Sequence, residues 1–198
     1  ITGSLNTSVG SSTLRNNTTG GSNVALGRFT LFNNTTGNSN TGIGSFNLYS
    51  NITGNGNVSQ GKGAQYFNTT GSYNTSAGYE VMFNNTTGRS NVAMGVHALS
   101  SNATGNNNVA VGDSALLANT VSENVAIGSK ALRFNTTGTS NTAVGYQALM
   151  NSTTTNGNTA MGYKTLSVNA GGFSNTAVGS EALRNNTSGY ANTAVGLG

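Results

Sequence analysis

Apolar residues recur along this chain with a period that is neither the 3.6 of a helix nor the 2 of a strand. A run of Asn, Thr or Val, a small residue, an aliphatic residue and Gly returns every 17 residues. With Asn6 as position 1, the same Asn returns at Asn23, Asn40, Asn57, Asn74, Asn91, Asn108, Asn124, Asn141, Asn158, Asn175 and Asn192. Every step is 17 residues except Asn108 to Asn124, which is 16. Position 5 is Gly throughout, from Gly10 to Gly196. Position 4 is aliphatic in most copies (Val9, Leu26, Ile43, Met94, Val111, Ile127, Val144, Met161, Val178, Val195), and position 9 is nearly always Leu. Positions 3 and 8 are mostly Ala, Ser or Thr. A unit with two large apolar side chains cannot bury them alone, so neighbouring units must stack to complete a core.

This pattern predicts a short strand over positions 1–4, a corner at the position-5 Gly and a second inward segment at positions 8–9. The N-T-T-G of positions 12–15 is expected to form a second strand or a turn. One turn of chain per unit gives parallel, in-register stacking at about 4.8 Å per rung, so the array spans on the order of 50 Å. The expected fold is all-β, a parallel β-solenoid (β-roll) of 17-residue repeats. Residues 1–198 form a single array of about 11 full coils. The partial units at both ends suggest a piece of a longer fibre. The position-1 residues Asn23, Asn40, Asn57, Asn74, Asn91, Asn108, Asn124, Asn141, Asn158 and Asn175 are expected to form an inward ladder, their amides bonding between rungs.

Charge sharpens the cross-section. Charged residues and the single His fall only at positions 6, 7, 10, 16 and 17. Burying an unpaired charge is costly, so the charge-free positions are read as interior or tight turn. In the coil 57–73 both expected core positions are Gln, Gln60 at position 4 and Gln65 at position 9. These amides are expected to bond to each other or to nearby backbone. The coil 108–123 lacks one residue near Val121, which should tighten a turn without breaking the stack.

Composition adds exclusions. Only 6% of residues are charged, with 29 Gly and no Pro, Cys or Trp. The net charge of +4 comes from few groups and is a weak argument for nucleic acid. No apolar run approaches the ~20 residues of a membrane span, so neither nucleic-acid binding nor membrane insertion is expected. Without Cys there is no disulfide framework and no thiolate metal site. One His and four acids suggest no metal and no other cofactor.

Stretches such as Asn141–Leu149 (NTAVGYQAL) and Asn175–Leu183 (NTAVGSEAL) resemble the repeats ahead of endosialidase-type chaperone domains in phage tail fibres and bacterial surface proteins. More loosely, they are similar to the head repeats of trimeric autotransporter adhesins. The resemblance covers the whole chain. It implies three chains bundled as parallel β-rolls, and an extracellular, cell-surface or virion location. The unit here is longer than the adhesin head unit, and its Asn-to-Gly spacing is one shorter, so handedness and trimeric state rest on the resemblance alone.

Four surface patterns are candidate sites. Glu80, His97 and Ser114 occupy position 7 of consecutive coils and have the residue types of an acid–base–nucleophile triad. No pocket or oxyanion hole accompanies them, and ordinary charge pairing explains them better, so no enzyme is expected. Phe32, Tyr49, Tyr66 and Phe83 at position 10 form an aromatic stripe, suited to a sugar ring or to a sister chain. Thr18, Thr35, Thr69, Thr86 and Thr136 belong to a Thr array that either orders water, as in ice binding, or simply stacks. Asn17, Asn34, Asn51, Asn68, Asn85, Asn102, Asn135 and Asn186 at position 12 match the glycosylation pattern N-x-[ST]. The leading expectation is a structural or adhesive fibre segment, self-associating as a homotrimer or filament. Binding of cell-surface glycan through the stripe is second, and ice binding third.

Overall fold

The computed structural model describes residues 3–198; Ile1 and Thr2, expected to belong to the tail of a partial unit, lie outside the described residues. The chain winds as a parallel β-solenoid of about 11 turns with no helix among the described residues. Each coil contributes one three-residue strand at positions 2–4. The strands are β1 (Thr7–Val9), β2 (Val24–Leu26), β3 (Thr41–Ile43), β4 (Val58–Gln60), β5 (Thr75–Ala77) and β6 (Val92–Met94). They continue as β7 (Val109–Val111), β8 (Val125–Ile127), β9 (Thr142–Val144), β10 (Thr159–Met161), β11 (Thr176–Val178) and β12 (Thr193–Val195). All twelve join in sequence order in one sheet. Equivalent positions pair in every rung, as in Val92↔Val109 and Ala93↔Ala110. The short coil keeps the register, with Val109↔Val125.

Successive residues of a strand face opposite ways. Position 3 is the inward one: Ala25, Ala93, Ala110, Ala126, Ala143, Ala160 and Ala177 are fully buried. Position 4 therefore points out, contrary to its expected place in the core. Ile43, Met94, Ile127 and Met161 are each about 40% exposed, and Gln60 lies in solvent. The interior is too thin for a branched side chain on the strand; Ala is what fits. Position 9 supplies most of the large apolar filling: Leu31, Leu48, Met82, Leu99, Leu116, Leu132, Leu149 and Leu166 are fully buried, and Val81 at position 8 joins them. Each contributes roughly 1.5–3 kcal/mol through burial.

The rest of the coil is turn rather than strand. Of the two expectations for positions 12–15, a strand or a turn, the turn is found; the N–H groups of Thr18, Thr19 and Gly20 all converge on the carbonyl of Thr35 in the next coil. At positions 6–9 the backbone bonds alternately in both directions. Phe29 N–H donates back to Ser11 O, and Leu31 N–H donates forward to Asn47 O. This requires left-handed backbone at positions 7 and 9, as in Phe29 (φ 56°) and Leu31 (φ 50°). Non-glycine residues disfavour that region by about 1–2 kcal/mol each, and the inter-coil hydrogen bonds offset it. At position 5 only Gly serves. Gly112 has φ 129°, and a Cβ there would sit 2.6 Å from the backbone carbon of Gly128 in the next coil.

Candidate functional site

The position-1 asparagines lie inside the rod. Asn91 is typical of the series. Its Nδ2 donates to Gly105 O at 2.9 Å and to Asn74 Oδ1 at 3.1 Å. Its Oδ1 accepts from the Asn108 backbone N–H at 2.9 Å and from Asn108 Nδ2 at 3.2 Å. Equivalent bonds link Asn23, Asn40, Asn57 and Asn74 on one side of it and Asn124, Asn141, Asn158 and Asn175 on the other. The backbone N–H at this corner has no carbonyl to meet, and the side chain of the preceding coil satisfies it.

Position 12 forms a second buried ladder. Asn34 Nδ2 donates to Asn17 Oδ1 at 2.9 Å and to Gly37 O at 3.0 Å. Asn23 Nδ2 donates to the same Gly37 carbonyl, so two amides brace one glycine per coil. Asn34, Asn51, Asn68, Asn85, Asn102 and Asn135 are fully buried, Asn17 is 5% exposed, and Asn186 near the end is half-buried. The glycosylation reading is corrected by this placement at Asn34, Asn51, Asn68, Asn85, Asn102 and Asn135, where the nitrogen that would carry the glycan is inside the rod and already donates two hydrogen bonds. The sequon is a local pattern and carries no information about facing. In the coil 141–157, Ser152 and Thr155 replace the Asn and Gly that other coils carry at positions 12 and 15, and their hydroxyls bond each other. In the short coil Val121 O takes over the glycine carbonyl's role toward Asn108 and Asn119, leaving Asn102 Oδ1 without a partner.

The amide pair of the coil 57–73 is split. Gln60 faces solvent, so no bond between the two glutamines forms. Gln65 is buried and its Nε2 donates to Ser76 Oγ at 2.9 Å, which donates to Ser59 Oγ at 2.9 Å. Gln65 Oε1 has no partner. A related polar feature carries no signal in the sequence. Thr30, Asn47 and Thr165 at position 8 are buried and each donates to the position-5 glycine carbonyl of the next coil. Gly42 makes room for two of them; a Cβ there would lie 2.7 Å from Thr30 Cγ2 and 3.0 Å from Asn47 Oδ1.

Outside, Phe32, Tyr49, Tyr66 and Phe83 stack in one column at centroid separations of 5.2, 5.0 and 5.2 Å. Phe29 and Phe46 form a shorter column beside it, 5.2 Å apart. Arg15 lies 5.7 Å from the Phe32 ring and Arg28 4.6 Å from Phe29, within cation–π range. Phe67 packs edge-on against Tyr66 and Phe83. The position-13 hydroxyls of Thr18, Thr35, Thr69, Thr86 and Thr136 each donate to a carbonyl of the next coil. Their protons are thus committed to the backbone rather than to an ordered water layer.

His97 Nε2 lies 3.3 Å from Glu80 Oε2, with both side chains about one-third or more exposed; surface contacts of this kind contribute roughly 0–1 kcal/mol. No hydrogen bond joins His97 to Ser114 among the described residues, and the three do not assemble as a relay. The neighbouring Glu80 carboxylate, as hydrogen-bond acceptor and as charge, raises the Tyr79 phenol above its usual pKa. No cluster of three His, Asp or Glu side chains occurs among the described residues, and no helix there is long and apolar enough to cross a membrane.

No family model, curated protein or solved structure matches the chain. Function is therefore read from the geometry of the rod.

Proposed function

We propose that this chain is a structural segment of a self-associating fibre, the shaft or head of an extracellular, cell-surface or virion filament, with a mechanical rather than a catalytic task. The supporting observation is the outer face of the sheet. Positions 2 and 4 of twelve strands form two adjacent ladders in which Val, Leu, Ile, Met, Ala and Thr occupy every rung except Gln60. No charge interrupts the face, and most of it is half-exposed. The position-4 ladder is apolar on every rung but Gln60, and the position-2 ladder beside it is made of Val and Thr; a half-exposed apolar row of this length marks an interaction surface. The partner best matched to identical side chains at a rung spacing of about 4.8 Å is a parallel copy of the same chain. Two or three rods packed on this face, the homotrimer being the arrangement that the repeat resemblance implies, make a stiff spacer.

Small-angle X-ray scattering tests the reading. The expected particle is a rod on the order of 50 Å long per chain, with a cross-section larger than one coil. Scattering from single thin rods at all concentrations would defeat it. An open depression beside Phe46, where Gly63 carries no side chain, favours a second reading, in which the rod also carries a glycan-binding site.

A further inference from the structure

The position-10 column carries rings in four successive coils, Phe32, Tyr49, Tyr66 and Phe83, and the position-7 column beside it carries two, Phe29 and Phe46. The next two position-7 residues are Gly63 and Glu80, so the column ends at Phe46, whose ring neighbour in the next coil is Tyr66, 6.2 Å away and tilted by 38°. In the neighbouring position-10 column each ring stacks on the next and the faces cover one another. A depression of about 320 Å³ opens at the end of the position-7 column, lined by Phe46, Lys62, Gly63, Tyr66, Glu80 and Phe83. That volume lies at the lower end of the ~300–1,000 Å³ typical of small-molecule sites.

We infer that the gap above Phe46 is a binding slot for one neutral hexopyranose ring of a glycan. Phe46 and Glu80 stand two rungs apart, roughly 10 Å, which admits a single flat ring against the phenyl face. The C–H face of a pyranose suits that aromatic wall. The rim supplies one donor-only group, the Lys62 ammonium, and one acceptor-only group, the Glu80 carboxylate. A hydroxyl can accept from the first while another donates to the second. An anionic ring meets Glu80 and a cationic one meets Lys62, so a neutral polyol fits both. Glu80 Oε2 lies 3.3 Å from His97 Nε2 at the partly exposed rim. The slot is separated from the sheet's outer face by the position-5 corner, so the inference does not depend on self-association.

The chain itself supplies the test variant. Position 7 holds Phe at Phe29 and Phe46 with φ 56°, and Gly63 has φ 66°. A Cβ at Gly63 would meet Glu80 Cγ at 3.3 Å and Phe83 Cε2 at 3.6 Å, contacts that side-chain movement relieves. Gly63→Phe therefore extends the column and fills the slot without disturbing the coil. Phe46→Leu keeps apolar packing but removes the flat wall. Saturation-transfer NMR with maltose, cellobiose and lactose as probes is the measurement. The wild-type chain should saturate the ring C–H protons of at least one of them. Gly63→Phe and Phe46→Leu should each weaken that binding at least tenfold, and Tyr163→Ala, in a distant aromatic pair, should not. Transfer to none of the three sugars, or undiminished binding by folded Gly63→Phe, overturns the inference. Oligomeric state measured on the same samples is read separately, so loss of the slot and loss of the fibre reading are distinguishable.

Discussion

Asn91 shows how much one polar side chain carries in a rod this thin. Replacing it with Ala deprives the buried Asn108 N–H of its acceptor and Gly105 O of a donor. Buried groups left unpaired are expensive, so Asn91→Ala should lose roughly 2–4 kcal/mol, measured by denaturant unfolding. Gln65→Leu should behave oppositely. It removes a buried amide whose Oε1 has no partner and restores the position-9 consensus, while Ser76 keeps its bond to Ser59. A gain of about 1 kcal/mol is expected, and any clear loss would mean that the amide contributes more than its geometry indicates. Leu99→Ala, by contrast, opens a cavity and should lose about 2–5 kcal/mol.

Within the strand, what could be read from sequence depended on the kind of signal. The position-1 Asn recurs at one spacing through nearly every coil, so its stacking into a ladder followed directly from the period. The position-4 aliphatic residues misled for a physical reason. Large apolar side chains and an absence of charge describe an interior and an interface equally well. Alternation at positions 2–4 offered the deciding clue, since the invariably small residue at position 3 must oppose both neighbours. The left-handed leucines at position 9 had no signal at all, because Leu intrinsically disfavours that backbone. The hydroxyl and amide caps from Thr30, Asn47 and Thr165 to glycine carbonyls were hidden likewise, since a charge-free position 8 reads as inward but the spacing does not name the carbonyl that a polar side chain there meets. The short coil shows how tolerant the stack is. Losing one residue interrupts the position-12 ladder at Asn102 but leaves the sheet register intact.

Across the whole molecule, each coil contacts only its neighbours, and stability accumulates rung by rung. Such a stack is mechanically continuous, with hydrogen bonds between coils running along the axis. Its surface has two different characters. Charges and aromatic rings gather on the turns, while the sheet presents an uncharged strip, a largely aliphatic row at position 4 beside a Val and Thr row at position 2. The proposed function depends on that strip being covered by copies of the chain. Met94 and Ile127 lie on it, each more than 40% exposed, and neither packs inside the coil. Met94→Lys with Ile127→Lys should therefore leave the solenoid folded while placing charges at the centre of the contact. Sedimentation velocity on the wild-type chain and on this double variant is the most direct test. The wild type should sediment as a discrete oligomer and the variant as a folded monomer with unchanged β circular dichroism. A wild-type chain that sediments as a monomer at every concentration would contradict self-association through the sheet face.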